Sequence, residues 1–240
     1  MIDRNEVALI GQLDGDAVDD SGPSGEGCVI FTLRLRRGLG HDQTTVLTPM
    51  FVRCRWISKY AAALRHRLVA GSWLDLQGKL LTFQSTAMRE RNQRPNTLVE
   101  VGDLILMPEP AWSAGDPKAA DRNVVMLSGR LGADAEFKLL PSRDSQARFS
   151  LAVRRFLGSK AQGTLREEPI WVRCQWTDPF AQHALERLGK GQWISAQGHL
   201  HIDDRHVDGD RPFEKGEQLM DVLHDLHDLH VWLAVDERAQ

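Results

Sequence analysis

The sequence predicts an all-β protein made of two tandem five-stranded barrels, each with one short helix after its third strand. Three observations lead to this fold class. Apolar and polar residues alternate along short segments, the chain repeats itself at an offset of 118 to 120 residues, and a proline-containing segment separates the copies. Alternation indicates half-buried strands, and a chain of 240 residues can form two domains of about 110 to 120 residues.

The internal repeat is extensive. Residues 3–17, DRNEVALIGQLDGDA, align with residues 121–135, DRNVVMLSGRLGADA, at an offset of 118. Residues 51–80 align with residues 171–200 at an offset of 120, with twelve of thirty positions identical. Because the offset changes by only two residues, we interpret the chain as one unit that was duplicated and fused.

The boundaries of the two units follow from a segment of linker composition. Residues 107–121, MPEPAWSAGDPKAAD, hold three prolines and several small residues, which is typical of a linker. We therefore expect a first domain at 1–107, a linker at 108–120, a second domain at 121–235 and a short C-terminal tail at 236–240.

The predicted elements follow the same order in both units. The expected strands lie near 7–13, 31–35, 51–56, 73–80 and 99–106 in the first unit, and near 125–131, 149–153, 171–176, 193–200 and 229–235 in the second. After the third strand, KYAAALRHRL and PFAQHALERL have helical spacing and end near Gly71 and Gly191, as helix C-termini often do. Five strands with a helix after the third predict a Greek-key barrel of the oligonucleotide-binding (OB) type.

The third strand carries the main functional signal. Alternate side chains of a strand face opposite sides, so Val52, Cys54 and Trp56 are expected to face the core, like Val172, Cys174 and Trp176. The outward face then carries Phe51, Arg53 and Arg55 in the first unit, and Trp171, Arg173 and Gln175 in the second. Single-stranded nucleic acid requires such rings and cations. The alternative is that both rings pack beneath a loop and that the arginines are merely solvated.

Further candidate contacts lie on the second strand and in the hairpin between strands four and five. They are Arg34, Arg36 and Arg154 on the strand, Phe156 just after it, Phe83 at the base of the first hairpin, and Arg89, Arg91 and Arg94 within that hairpin. A basic hairpin can follow a phosphate backbone, although a plain solvated hairpin is the alternative. The second hairpin, residues 203–228, has nine acidic and three basic residues, so we expect it to bind phosphate poorly.

Trp73 and Trp193 occupy the same place at the start of the fourth strand in the two units. Both are predicted to point outward, opposite Leu74 and Ile194. Because tryptophan anchors interfaces, we expect a subunit or inter-domain contact here rather than a nucleic-acid contact.

No catalytic, cofactor or metal site is predicted. The sequence has no Gly-rich phosphate loop, GxSxG, HExxH or HxE…CxxC pattern. The spacing of His224, His227 and His230 matches no specific ligand pattern, and a strand would scatter them, so we expect a local triplet duplication. The three cysteines form no CxxC pair and are interpreted as reduced thiols.

Charge and hydropathy limit the possible partners. The sequence has 30 Lys and Arg and 33 Asp and Glu, which gives a net charge of −3. Nucleic-acid binding would therefore need a local basic surface. Apolar runs are only strand-sized and no signal peptide is visible. These features predict a cytoplasmic protein without a membrane partner.

The third and fourth strands resemble those of bacterial single-stranded DNA-binding proteins. The resemblance is carried by Trp171-Val-Arg173, by Gly191-Gln-Trp193-Ile-Ser-Ala-Gln-Gly198-His-Leu200, by Asn5…Val7-Ala-Leu9-Ile-Gly11-Gln-Leu13 and by Phe149-Ser-Leu-Ala152. The Arg-Cys-Gln element at 173–175 is also similar to one in primosomal replication protein B. The resemblance implies sequence-independent binding of single-stranded DNA. The family's stacking tryptophan corresponds to Trp171 in the second unit, and Phe51 takes its position in the first.

The resemblance also implies features of assembly. The family's second aromatic is matched approximately by Phe156 but by no ring in the first unit, where Gly38-Leu39 stands. The family commonly places four OB units around the DNA, so a homodimer of this chain would supply four. The family usually ends in a flexible tail with an acidic, Phe-terminated tip that recruits repair and replication enzymes. This sequence ends in Ala-Val-Asp-Glu-Arg-Ala-Gln240, so the resemblance does not imply that kind of recruitment, and replication or recombination proteins are kept as possible partners.

Two other functions stay open at this point. The OB pair could be a scaffold or a primosome-like accessory protein acting mainly through protein–protein contacts, which the net charge and the acidic second hairpin favour. An RNA chaperone would differ only in its substrate.

Overall fold

The computed structural model describes residues 4–21, 27–39, 46–83, 96–110, 121–139, 145–157, 166–177, 188–202 and 229–234. The strands in these ranges are β1 (Asn5–Leu13), β2 (Val18–Asp19), β3 (Cys28–Leu39), β4 (Val46–Ile57), β5 (Trp73–Phe83), β6 (Asn96–Met107), β7 (Asn123–Leu131), β8 (Glu136–Leu139), β9 (Ser145–Leu157), β10 (Arg166–Thr177), β11 (Trp193–Ile202) and β12 (Leu229–Ala234). A short helix, α1 (Ala61–Leu64), continues as a 3₁₀ turn (Arg65–Arg67). No helix in the described part of the chain is long and apolar enough to cross a membrane.

The described strands form one continuous hydrogen-bonded sheet. Its order is β2-β3-β4-β6-β5-β1-β7-β11-β12-β10-β9-β8. The sheet closes on itself in the first unit because β1 pairs with β5 along its length and also with β3 at Gln12 and Leu13. The result is the closed five-stranded barrel that the sequence predicts. In the second unit the strands pair in the corresponding order, and β7 pairs back with β9.

The core lies inside the sheet, as the alternation predicts. Val52 and Cys54 are 2% and 0% exposed, and Trp56 is also buried. Val172 and Cys174 are buried in the second unit, with Trp176 partly buried against the same core. The prediction of an inward face on the third strand is therefore confirmed. Burial raises the pKa of both Cys54 and Cys174, which makes these thiols poor nucleophiles at neutral pH.

The helix after the third strand is shorter than predicted. Of the segment 59–68, only Ala61–Leu64 is α-helical before the 3₁₀ turn. The helix cannot continue because Leu68 is drawn into the core at 1% exposure, with the non-helical dihedral angles φ −93° and ψ 70°. Gly71 then reverses the chain with φ +83°. The corresponding helix expected in the second unit falls on residues 178–187, outside the described residues.

Each unit also has a short strand that the sequence did not reveal. β2 pairs with the start of β3, and β8 pairs with the start of β9. Every residue of both strands is exposed. β2 has only two residues, too few to show a period, and β8 alternates polar and apolar residues over only four, Glu136–Leu139. Segments this short give little of the periodic signal that predicts a strand.

The two units are joined by an antiparallel pairing of β1 with β7. Val7 lies opposite Val125, its own equivalent in the repeat, while Asn5 lies opposite Leu127 and Leu9 opposite Asn123. An approximate two-fold axis therefore passes between the two valines. Additional backbone hydrogen bonds obey the same symmetry, with 2.9 Å from the Ile10 N–H to the Arg122 carbonyl and 2.9 Å from the Ser128 N–H to the Arg4 carbonyl.

An ion pair with a buried carboxylate forms a second link between the units. The Asp121 side chain, 1% exposed, accepts hydrogen bonds from the Arg36 backbone N–H at 2.7 Å, from Nε at 3.1 Å and from Nη2 at 2.8 Å. The Asp121 backbone N–H donates to the Arg36 carbonyl at 3.3 Å. Arg36 lies on β3, so the start of the second unit is fixed to the first barrel.

Candidate nucleic-acid interface

Two aromatic rings stand on the outer faces of the third strands. Phe51 on β4 is 37% exposed and Trp171 on β10 is 55% exposed. Their neighbours on the strands, Val52 and Val172, are buried, so the strands turn the rings outward. Both rings therefore keep exposed surface rather than being buried beneath a loop of the described residues.

Each ring ends a row of four side chains that crosses four adjacent strands. In the first unit the row is Trp73, Gln12, Arg34 and Phe51, which face one another in register across β5, β1, β3 and β4. In the second unit the row is Trp193, Arg130, Ala152 and Trp171, across β11, β7, β9 and β10. We call these the first and second outer rows. Because strands lie about 4.8 Å apart, the two aromatic residues of a row are separated by about 14 Å.

Gly132 sets the position of the Trp171 ring. A Cβ atom at this glycine would come within 2.4 Å of Cζ3 and 3.0 Å of Cη2 of Trp171. No real Cβ approaches another atom so closely, so the indole lies directly over the glycine backbone. The position equivalent to Gly132 in the first unit is Asp14, which is exposed.

Each row begins with a tryptophan beneath an arginine from the second strand. The Arg36 guanidinium carbon lies 5.8 Å from the centre of the Trp73 ring, and that of Arg154 lies 5.6 Å from the Trp193 ring. Arg130 adds a second cation 5.8 Å from Trp193. These distances fit cation–π contacts.

Comparison with known proteins relates the geometry to a family. Residues 122–212 match the family model of the single-strand binding protein family. The match covers most of the second unit. We refer to the second unit below as the single-strand binding (SSB) domain, after the family model that it matches.

Solved structures extend the likeness to the whole chain. The wild-type single-stranded DNA binding protein from Thermus aquaticus superposes with a TM-score of 0.71 at 18% identity, covering 100% of this chain and 96% of that one. A deletion mutant of the same protein gives 0.72 at 18% identity, covering 99% and 95%. At this identity the matches establish the fold. The Plasmodium falciparum SSB complex with ssDNA covers 48% of this chain and 89% of that one, at 25% identity and a TM-score of 0.35.

Trp73, expected to form a subunit or inter-domain contact, is less exposed than the sequence predicts. Trp73 is only 7% exposed within its own chain, so it offers little surface to another subunit. Together with Asp121 and Glu109, it lines a cleft of about 330 Å³, which places it beside the link between the units. Its equivalent in the SSB domain, Trp193, is half-buried.

Two of the arginines predicted to contact phosphates have carboxylate partners. Arg36 is held by Asp121, as described above. Arg154 of the SSB domain pairs with Glu167 at 3.1 Å, and both side chains are partly exposed. Phosphate contacts by Arg36 and Arg154 remain predictions. In the unbound protein, however, both arginines already neutralise an acid and cover a tryptophan.

The arginines beside Phe51 are partly buried. Burial lowers the pKa of Arg53, with Asp20 acting in the opposite direction. A hydrogen bond to Cys28, 3.3 Å from Nε to Sγ, raises the pKa of Arg55 despite its partial burial. Both therefore remain cationic at neutral pH, although Asp20 reduces the positive field here.

The SSB domain differs from the first unit at these positions. Arg173, the equivalent of Arg53, is exposed, and Gln175 is half-buried. Gln175 faces Arg148 on β9, and the Arg148 Nε donates to Gln146 at 2.6 Å. The sequence therefore placed these third-strand residues on the correct face.

Several predicted contacts lie outside the described structure. They are Arg89, Arg91 and Arg94 of the first hairpin and the side chains of Phe83 and Phe156. His224 and His227, which were not expected to bind a metal, also lie outside it. Within the described residues no group of three potential metal ligands occurs. These predictions are neither supported nor contradicted.

Sequence reasoning missed two members of the outer rows, Gln12 and Arg130. Both lie on the first strand, at positions of opposite parity to the core residues Leu13 and Leu131. Alternation could have placed them outside. It could not show that the first strand crosses the barrel and pairs with the second strand, which brings Gln12 and Arg130 into line with the rings.

Proposed function

We propose that this protein binds single-stranded DNA without sequence preference and protects it during replication, recombination or repair. Bases would stack on Phe51 and Trp171, and arginines on the same faces would contact phosphates. The observation that carries the proposal is the 55% exposure of Trp171 at the end of a row of cationic and aromatic side chains in an SSB domain.

The physical basis is stacking combined with local charge. Stacking on an aromatic side chain contributes about 1–3 kcal/mol per base and tolerates any base. The net charge of −3 provides no general attraction for a polyanion, so local arginines must do so. Arg34 and Arg130 are exposed, and neither has a carboxylate partner among the described residues.

We extend the proposal to the architecture. The chain would form two tandem OB barrels, a domain at 1–107 and a domain at 121–235, joined by a linker at 108–120. Support comes from the corresponding order of strand pairing in the two units and from the two-fold arrangement of β1 and β7. A homodimer would then supply four barrels. Replication or recombination proteins are possible further partners.

The family match favours binding of single strands over the two other functions. A scaffold acting mainly through protein contacts would need no exposed ring beside exposed arginines in both units. Competition between RNA and DNA oligonucleotides of the same length tests the preference for DNA, because stacking and phosphate contacts alone do not distinguish the sugars.

The test is the affinity for fluorescein-labelled oligo(dT), measured by anisotropy. We expect Trp171→Ala and Phe51→Ala each to weaken binding by about 5- to 150-fold, the equivalent of about 1–3 kcal/mol per lost stack. Tyr60→Ala is the matched control, because Tyr60 is 56% exposed but lies outside both rows. Unchanged affinity in the Trp171/Phe51 double variant would refute the assigned site.

A further inference from the structure

We propose that Arg130 contacts a DNA phosphate in the second unit and thereby takes the place that Arg34 has in the first. The inference rests on the proposed function. It identifies a binding residue that the alternation along the second and third strands did not reveal. It predicts that the phosphate contact lies on the second β-strand of the first unit but on the neighbouring first β-strand of the second unit.

The two outer rows differ by an exchange of their central residues. The first row reads Gln12 then Arg34, and the second row reads Arg130 then Ala152 at the equivalent positions. Each row therefore has one arginine between its two aromatic residues. The arginine lies on β3 in the first unit but on β7, the equivalent of β1, in the second.

The side chains of Gln12 and Arg130 share one structural role. The Gln12 Nε2 donates to the Gly71 carbonyl at 2.9 Å, and the Arg130 Nη1 donates to the Gly191 carbonyl at 2.9 Å. These carbonyls occupy the same turn in the two units, so an amide suffices to satisfy the acceptor. The charge of Arg130 is not needed for that hydrogen bond and is available for another purpose.

The environment of Arg130 keeps its charge exposed and fixed in place. Arg130 is exposed and lies against the Trp193 ring. Within the described residues it has no carboxylate partner. The nearby Asp134 carboxylate accepts a hydrogen bond from the Lys190 backbone N–H at 2.7 Å. Arg154, which also lies against the Trp193 ring, pairs with Glu167.

Ala152 leaves space between this cation and the stacking ring. The small side chain separates Arg130 from Trp171 in the row, and the two flanking strands are about 9.6 Å apart. A base stacked on Trp171 can therefore extend over Ala152 with its phosphate at Arg130. In the first unit Arg34 stands directly opposite Phe51, so the phosphate contact lies about 4.8 Å nearer the ring.

The experiment compares Arg130→Gln with the wild-type chain by oligo(dT) anisotropy over a series of salt concentrations. Glutamine preserves the hydrogen bond to Gly191, as Gln12 shows in the first unit, so the fold should be retained. We expect binding at low salt to weaken by about three- to tenfold, and the slope of log K against log salt to fall by about 0.7, the value for one lost phosphate contact. Lys79→Gln, which removes an exposed charge from β5, is the matched control and should leave the slope unchanged.

A rescue variant tests the exchange itself. Adding Ala152→Arg to Arg130→Gln rebuilds the first row in the second unit and should restore the salt slope. An unchanged slope in Arg130→Gln, or no recovery in the double variant, would overturn the inference. Failure of the wild-type chain to bind oligo(dT) would instead overturn the proposed function, so the two failures are distinguishable.

Discussion

Gly132 shows how a single hydrogen atom in place of a side chain can shape a binding surface. The Trp171 indole occupies the space that a Cβ would need, since that atom would lie 2.4 Å from Cζ3. The glycine therefore keeps the exposed ring close to the sheet. A ring held in this way loses little conformational freedom when a base stacks on it.

We expect Gly132→Ala to displace the Trp171 ring and weaken oligo(dT) binding by at least about fivefold, because part of a stack worth about 1–3 kcal/mol is lost. The ring is exposed and can move outward, so the free energy of unfolding should change by less than about 0.5 kcal/mol. Anisotropy and urea titration measure the two quantities.

Gly15→Ala is the control for this prediction, because a Cβ at Gly15 would meet nothing within 4 Å. Equal affinities of Gly132→Ala and wild type would show that the position of the ring does not depend on the glycine. A large loss of stability would show that the glycine serves the fold instead.

At the scale of elements, an asparagine clamps the first strand to the fourth in each unit. The Asn5 Nδ2 donates to the Leu80 carbonyl at 3.0 Å, and the Leu80 N–H donates to the Asn5 Oδ1 at 2.9 Å. Asn123 and Leu200 repeat both bonds at 3.0 and 2.9 Å. The clamps sit where β1 and β7 pair with each other, so they fix the strands that join the two units.

We expect Asn5→Ala and Asn123→Ala each to lower the free energy of unfolding by about 1–3 kcal/mol, because the backbone groups of the partner leucine lose their hydrogen bonds. Urea titration measures the loss. Gln77→Ala removes an exposed amide from β5 and should change stability little. The prediction is wrong if the asparagine variants unfold at the same urea concentration as Gln77→Ala.

At the scale of the whole molecule, the repeat has become one body with an internal two-fold axis. The β1–β7 pairing removes an exposed edge from each unit, which would otherwise be free to pair with another chain. The Arg36–Asp121 pair adds a further link between the units. Its carboxylate is almost fully buried and its guanidinium is partly exposed, so breaking it would leave Asp121 without its cation.

The proposed homodimer gives a prediction at this scale. Light scattering should find twice the chain mass of 27.0 kDa, with and without oligo(dT), because four barrels require two chains. The burial of Trp73 leaves little of its ring for a subunit contact. A mass of one chain under both conditions would contradict the homodimer while leaving the DNA-binding site untouched.

The sequence by itself determined the features that depend on local periodicity and on the repeat. Alternation placed Phe51 and Trp171 outside and Cys54 and Cys174 inside, because successive side chains of a strand must face opposite sides. The repeat fixed the order of strands in both units. β2 and β8 were not predicted because they are only two and four residues long.

Only the tertiary structure decided which outward residues meet. The position of Arg130 beside Trp193, the burial of Trp73 and the pairing of Arg36 with Asp121 all depend on which strands become neighbours. Such contacts join residues far apart in the chain, and no pattern within one strand encodes its partner. The composition of each outer row was therefore a consequence of barrel closure and register, not of the local sequence.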